Sequence, residues 1–281
     1  MAIQWTDTQH TRLIELGANE QELTRTFDSN SDRNSGYQKL EKQLVKEQKK
    51  QLETLRQTHR RPRLCQLETK LVEAFTSQGF VQVTTPTILS RGLLSKMSVT
   101  EDHPLTSQIY WLGKEKCLRP MLAPHLYYVM KDLLRLWEKP VRIFEIGSCF
   151  RKESEGARHT NEFTMFNLCE FGLPKEGRQQ RLEDLATLVM KTAEIEDYSY
   201  ETELSAVYGS TLDVVTSPTD GLELGSGAMG PHPLDRAWKI AETWVGIGFG
   251  LERLLMAHKK SGNLGRYSRS LSYLDGVRLN L

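Results

Sequence analysis

Phe144-Glu145-Ile146-Gly147-Ser148-Cys149-Phe150-Arg151-Lys152-Glu153, with its return leg Asn161-Glu162-Phe163-Thr164-Met165-Phe166-Asn167-Leu168, decides the fold. It reads as two apolar strands joined by a polar loop, Ser154 to Thr160. That loop is longer than a tight two-residue hairpin turn, and long loops on a rigid sheet usually carry function. Arg151 and Glu153 alternate, so they share a face if the strand runs that far. Alone, a guanidinium beside a carboxylate at a strand end is a plain ion pair. A second stretch, Gly246-Ile247-Gly248-Phe249-Gly250-Leu251-Glu252-Arg253-Leu254-Leu255, shifts the reading toward a site. It is a Gly-rich strand end that runs straight into a helix carrying Arg253. Glycines permit close backbone approach to a ligand, and arginine grips phosphate in a planar fork.

Outward from these stretches, the 281 residues suffice for one large domain with a small appendage. With 38% hydrophobic and 26% charged residues the chain is of ordinary globular composition. A net charge of +1 gives no global field for nucleic acid, so such a partner must be met by a local patch. No apolar run reaches the length of a membrane span, and no basic-then-apolar leader opens the chain. Cys65, Cys117, Cys149 and Cys169 lack Cys-x-x-Cys spacing, which predicts reduced cysteines, a cytoplasmic protein and no zinc site. No internal repeat or low-complexity block is evident.

Thr6 to Phe27 reads as helix, Asp28 to Gly36 as a polar break, and Tyr37 to about His59 as a longer helix stopped by Pro62. Nine Lys or Arg and three Glu lie between Lys39 and Arg63. Such a run is a solvated face or a phosphate-backbone contact for RNA, and the residues alone leave both open. Leu64, Leu67, Leu71 and Phe75 put a stripe on the next helix, which ends at Gly79. Phe80 to Val83 is then a short strand, Leu93 to Met97 a helix, and Gln108 to Leu112 and Lys116 to Arg119 strands. A helix from Ala123-Pro124 turns Leu126, Tyr127, Met130, Leu133 and Leu134 inward, and Arg178 to Ala193 is a second long helix. Tyr200 to Glu203, Thr211 to Val215 and Leu222 to Leu224 read as strands, and Gly225 to Gly230 as an open, small-residue stretch. Strands mixed with non-alternating helices predict an α+β fold with a mostly antiparallel sheet flanked by helices.

Three of these segments carry a family resemblance. Phe-Arg-x-Glu, a loop and Glu-Phe resemble motif 2 of the class II aminoacyl-tRNA synthetases; Gly-x-Gly-x-Gly-x-Glu-Arg resembles motif 3. Gly79-Phe80-Val81-Gln82-Val83-Thr84-Thr85-Pro86 is similar to motif 1. Three motifs in the right order are a strong signal where each alone is weak. Leu118-Arg119-Pro120-Met121-Leu122-Ala123-Pro124, Val207-Tyr208-Gly209 and Ser270-Leu271-Ser272-Tyr273 resemble the pyrrolysyl branch. The resemblance covers nearly the whole chain and is densest from Arg63 onward. It implies a class II catalytic domain over 63–281, a small helical tRNA-contacting segment over 1–62, and a homodimer built on the motif 1 helix and strand.

The resemblance also implies the chemistry: ATP-dependent activation of an amino acid, with Mg²⁺, and its transfer to tRNA. Both reactants are anionic, so such an enzyme aligns them and neutralises charge. Arg151 matches the arginine that holds the α-phosphate and substrate carboxylate, and Arg253 the one on the γ-phosphate. Glu153 would accept from the adenine amino group. Phe163 would stack on one adenine face and Arg253 cover the other, with Gly248 and Gly250 on the ATP side and His159 near the γ-phosphate. Glu223 and Ser226 match the Mg²⁺ ligands, a hard-oxygen pair suited to that ion. Carried over likewise, Ala123, Leu126, Tyr127, Met130, Cys169, Ala228 and Trp244 would form a deep apolar tunnel. Without the resemblance most of these would be ordinary core. Asn167 stands apart, because a buried amide must be paired. It matches an Asn that hydrogen-bonds the side-chain carbonyl of pyrrolysine, and Tyr208 matches a mobile-loop tyrosine that caps it. His125 replaces a usual Asn, and Met130 and Gly227 are less common choices. These bear on the pocket's shape and leave the ATP site untouched.

The implied partners are tRNA(Pyl), met by Lys46, Lys49, Lys50 and Arg56, and pyrrolysine or an N-ε-acyl-lysine analogue. Many members carry an additional basic N-terminal tRNA-binding domain, and the two small helices before Arg63 leave no room for it. The chain therefore resembles either the catalytic half of a split bacterial enzyme, whose partner would be a separate N-terminal-domain protein, or a form lacking that domain altogether. Ser226-Gly227-Ala228-Met229 and Leu274 to Asn280 slightly favour the split form. Two other readings are a phenylalanyl-like class II synthetase, which has no use for a buried amide, and a catalytically dead tRNA-binding paralogue. Such paralogues usually lose a motif arginine or glutamate, whereas Arg151, Glu153, Glu223 and Arg253 are all present.

Overall fold

In the computed structural model, which describes residues 3–152, 160–216 and 221–281, the chain divides into two compact units. These are Met1–Arg63 with Arg269–Leu281, and Leu64–Ser268. The C-terminal stretch therefore groups with the N-terminal helices, whereas the sequence reading placed it in the second domain. Among the described residues no helix is long and apolar enough to cross a membrane.

The first unit holds α1 (Asp7–Leu16), α2 (Glu20–Leu23) and α3 (Asn30–Thr54), whose last turn, Leu55–His59, is wound as a π-helix. Thr6 to Phe27 is thus not one helix. Gly17, at φ 87°, ends α1 in the left-handed conformation, and an Asn19–Glu22 capping box starts α2. The expected break at Asp28 to Gly36 is mostly the first two turns of α3. Ser29 Oγ accepts from the Asp32 N–H at 3.1 Å, and Ser and Asn signal helix starts as well as turns. Gly36 is needed inside the helix, because a Cβ there would lie 2.9 Å from the Phe27 ring. Trp5, Leu13, Leu16, Leu40 and Leu44 form the core. Buried Gln48 donates to the Leu16 carbonyl at 2.9 Å and accepts from the Arg278 N–H at 3.3 Å, tying the C-terminal hairpin to α3.

The second unit runs α4 (Arg63–Ser77), β1 (Val81–Gln82), β2 (Ile88–Ser90), α5 (Arg91–Ser95), β3 (Lys116–Leu118) and α6 (Ala123–Leu136). It continues with β4 (Val141–Phe150), β5 (Glu162–Phe171), α7 (Arg178–Thr192), β6 (Tyr198–Ser205), β7 (Gly209–Thr216), β8 (Glu223–Gly230), α8 (Asp235–Trp238), β9 (Trp244–Gly250) and α9 (Leu251–His258). Gln108 to Leu112 forms no strand. It is the end of a 3₁₀ turn followed by a single bridge from Trp111 to Cys117.

The main sheet has seven strands in the order β1-β4-β5-β9-β8-β7-β6, all antiparallel except β1 on β4. Along β5 the period of two decides the layers. Phe166 and Leu168 enter the core beneath, with Leu71 and Phe75 of α4, Leu182 and Val189 of α7, and Leu254 of α9. Phe163, Met165, Asn167, Cys169 and Phe171 face the opposite side and line a cavity. The Gly225 to Gly230 stretch is a full strand, β8. Its glycines are demanded by neighbours: a Cβ at Gly225 would overlap the Phe249 ring, and one at Gly230 the Trp244 indole.

Candidate active site

The cavity, about 260 Å³, lies on the open face of β5, β9 and β8. Register arranges its floor in transverse rows. Asn167 pairs with Gly248, Gly248 with Ser226 and Ser226 with Asp213, a polar row over four strands. The next row, Cys169–Gly246–Ala228, is small and apolar, and the one beyond it, Phe171–Trp244–Gly230, is aromatic. In the other direction lie Met165 paired with Gly250, then Phe163 and, past the end of β4, Arg151. The floor thus grades from a charged end to an apolar end. Gly248 keeps it open, since a Cβ there would lie 3.1 Å from Met165 Cε.

At the charged end, Arg151 Nε donates to the Pro120 carbonyl at 3.0 Å, and its guanidinium sits 5.3 Å from the Phe163 ring centroid. Arg253, in the first turn of α9, pairs with Glu223 at 3.4 Å and donates to the Glu223 carbonyl at 3.1 Å. Its neighbour Glu252 is buried and accepts the Thr164 N–H on both carboxylate oxygens, at 2.8 and 3.0 Å. That bond fixes the start of α9 against β5, and an acid in the first turn suits the helix dipole. Glu223 and Ser226 lie three apart and would face opposite ways on a regular strand. The register shift between Val214 and Val215 inserts a bulge that turns both into the cavity. Ser226 Oγ donates to Asp213 at 2.6 Å.

At the apolar end, Ala123, Leu126 and Tyr127 of α6 meet Cys169, Ala228, Trp244 and Tyr208 around the cavity. Met130 does not line it. One turn further along α6, it is fully buried in the apolar cluster behind. Asn167 Nδ2 donates to the Ile247 carbonyl at 3.0 Å. Burial raises the Tyr127 and Tyr208 hydroxyls and the Cys169 thiol far above their ordinary values and pushes the Cys149 thiol up to about 12. All therefore stay neutral at ordinary pH. Glu153 and His159, expected near adenine and the γ-phosphate, lie outside the described residues.

Two sets of residues escaped the sequence reading. Arg119 and Glu145 form a buried ion pair of 2.8 Å; Glu145 also accepts from the Thr85 N–H and hydroxyl at 3.0 and 2.7 Å. The pair fixes the backbone just before Pro120, whose carbonyl orients Arg151. Beside it His125 is buried with no partner at Nδ1 among the described residues, and burial with the Arg119 charge lowers its basicity. The second set is Asp235, which accepts from the Tyr127 hydroxyl at 3.3 Å and the Trp244 indole at 2.9 Å. Partners so distant in sequence leave no periodic trace; only the oddity of charges inside apolar segments could have marked them.

The model of the class II core domain of tRNA synthetases matches residues 45–270. A crystal structure of pyrrolysyl-tRNA synthetase from Desulfitobacterium hafniense is 53% identical, covers 100% of both chains and superposes with a TM-score of 0.94. The chain belongs to the class II aminoacyl-tRNA synthetases, in their pyrrolysyl branch. More distant relatives of this synthetase are a histidine–tRNA ligase of Methanocaldococcus jannaschii, 33% identical over 34% of the chain, and an elongation factor P–(R)-β-lysine ligase of Pseudoalteromonas translucida, 28% identical over 54%. The synthetase spans 24% and 44% of the length of these two curated relatives.

Proposed function

We propose that this synthetase activates pyrrolysine, or a closely related N-ε-acyl-lysine, with ATP and transfers it to tRNA(Pyl) for amber-codon decoding. The observation that carries the reading is Asn167, an amide on the floor of a tunnel otherwise walled by Leu126, Cys169, Ala228 and Trp244. Its Nδ2 already meets the Ile247 and Leu168 carbonyls at 3.0 and 3.4 Å. A phenylalanine side chain would offer the remaining polar sites of the amide nothing, and a polar site desolvated without a partner costs about 1–3 kcal/mol. A dead paralogue is disfavoured because Arg151, Glu223 and Arg253 all converge on the cavity.

In activation, a carboxylate oxygen of the amino acid attacks the α-phosphorus of ATP and pyrophosphate leaves. Arg151, which lines the cavity, would neutralise both the carboxylate and the α-phosphate, and Arg253 would hold the departing phosphates. Phe163 offers a flat face for adenine. A ribose hydroxyl at the tRNA terminus then attacks the adenylate carbonyl and AMP leaves. Glu223 and Ser226 present hard oxygens suited to Mg²⁺, which would screen the phosphate charge. Among the described residues no three His, Cys, Asp or Glu side chains cluster into a metal site.

Asn167→Ala tests the pocket. It should lower kcat/KM for pyrrolysine about 10- to 100-fold through removal of the hydrogen bond while admitting bulkier aromatic side chains. Parent-like kinetics with pyrrolysine would mean that the carbonyl is read elsewhere. The assembly is also testable. β1 is an edge strand, and Val81 and Ile88 are 45% and 49% exposed, which suits an isologous two-fold contact. Light scattering at micromolar protein should give a dimer mass; a monomer mass would remove the motif 1 contact.

A further inference from the structure

The tripeptide His-Pro-Leu occurs twice in the second unit, as His103-Pro104-Leu105 and His232-Pro233-Leu234. Both copies make the same local bond: the leucine N–H donates to the histidine Nδ1, at 3.1 Å in the first and 3.2 Å in the second. That bond assigns the lone pair to Nδ1 and the proton to Nε2. The proline between fixes its own φ, so each imidazole is held by its own turn with one outward donor. Both donors reach the same target, the short turn between β6 and β7. His103 Nε2 meets the Ala206 carbonyl at 3.3 Å, and His232 Nε2 the Tyr208 carbonyl at 2.9 Å.

This turn carries Tyr208, whose ring lies 6.2 Å from Trp244 and lines the cavity. Inside the turn, the Val207 and Tyr208 N–H groups share Ser205 Oγ, at 3.2 and 3.4 Å. The second clamp is tied to the tunnel wall. The His232 N–H donates to Asp235 Oδ2 at 2.6 Å, on the carboxylate that also holds Tyr127 and Trp244. One buried carboxylate therefore sets two walls of the tunnel and, through His232, the position of its cover.

We propose that the two His-Pro-Leu elements are a paired clamp on the β6–β7 turn, and that His103 and His232 are positioning residues that set Tyr208 over the amino-acid end of the cavity. Neither histidine lines the cavity. The part of this inference that concerns amino-acid binding rests on the function proposed above.

Conservative substitutions separate the clamp from a plain turn. In His232→Gln the amide nitrogen can replace Nε2 and still reach the Tyr208 carbonyl. In His232→Asn the amide oxygen can replace Nδ1 and keep only the leucine N–H. The clamp predicts that Asn raises the KM for the amino acid about tenfold with the KM for ATP within about twofold, and that Gln stays near the parent. Without any ligand, amide hydrogen exchange over residues 205–209 should speed about tenfold in His232→Asn and not in His232→Gln, with β5 unchanged as the folding control. The double variant His103→Asn, His232→Asn should show the larger effect on both measures. If Asn behaves like the parent while Gln is impaired, if the two are alike, or if both KM values rise together, the clamp is wrong. If the parent uses no amino acid offered, the functional reading fails instead, and the exchange comparison alone still decides the clamp.

Discussion

Replacing Arg151 or Arg253 with alanine should lower amino-acid-dependent pyrophosphate exchange by about 10²–10³, because in the proposed function each change removes a charge-assisted bond to the reacting phosphates. The geometry explains why each is specific. Arg151 is aimed by the Pro120 carbonyl, whose own position is set by the buried Arg119–Glu145 pair. Arg253 is aimed by Glu223, and the helix that carries it is pinned by Glu252 on Thr164. Lysine at either position should rescue poorly, because a point charge does not reproduce the planar fork. Both side chains are partly exposed, so urea unfolding midpoints should stay close to the parent. Exchange near the parent level in either alanine variant would mean that the reacting phosphates bind elsewhere.

The second large effect belongs to the first unit, and concerns tRNA. Leu40, Leu44 and Gln48 form the buried stripe of α3, which leaves Lys46, Lys49 and Lys50 exposed on other faces of the helix. Arg56 follows on the π-turn, paired with Glu53 at 2.6 Å. That pair is exposed and worth only about 0–1 kcal/mol, so a phosphate can compete for the arginine. With all four changed to glutamine, tRNA binding should weaken and its log–log salt slope should flatten by roughly 0.7–0.9 for every phosphate no longer neutralised, about 3 in total. Pyrophosphate exchange should stay at the parent level, since no residue of α3 lines the cavity. An unchanged salt slope would make the basic face a solvated surface; exchange and charging falling together would make it a structural brace.

The strands that build the site were legible because β4 and β5 are long apolar runs bounded by polar segments and β9 alternates apolar residues with glycine. β4 and β5 depart from strict alternation, with three and four consecutive buried residues. The glycines of β8 hid a strand, because a chain of small residues shows no periodicity. It is small because Phe249 and Trp244 occupy the space above it. Ser29 and Asn30 hid a helix start, since the same side chains cap helices and close turns. Met130 looked like its neighbours on α6, and helical spacing cannot say which turn of a stripe meets the cavity. Asp235, His232 and the Arg119–Glu145 pair were invisible for another reason. Each acts through partners distant in the chain, and a single sequence records no such pairing. The bulge that turns Glu223 and Ser226 to one side was equally silent, although the resemblance had already placed both in one role.

In the function proposed, this cavity reads an acylated lysine chain and joins it to AMP. The deciding measurement is pyrophosphate exchange into ATP, run with the whole protein, Mg²⁺ and a panel of pyrrolysine, a bulky N-ε-acyl-lysine, lysine and phenylalanine. Exchange should run with the first two and stay at background with the last two; exchange driven by phenylalanine, or by no member of the panel, would rule out an acyl-lysine pocket.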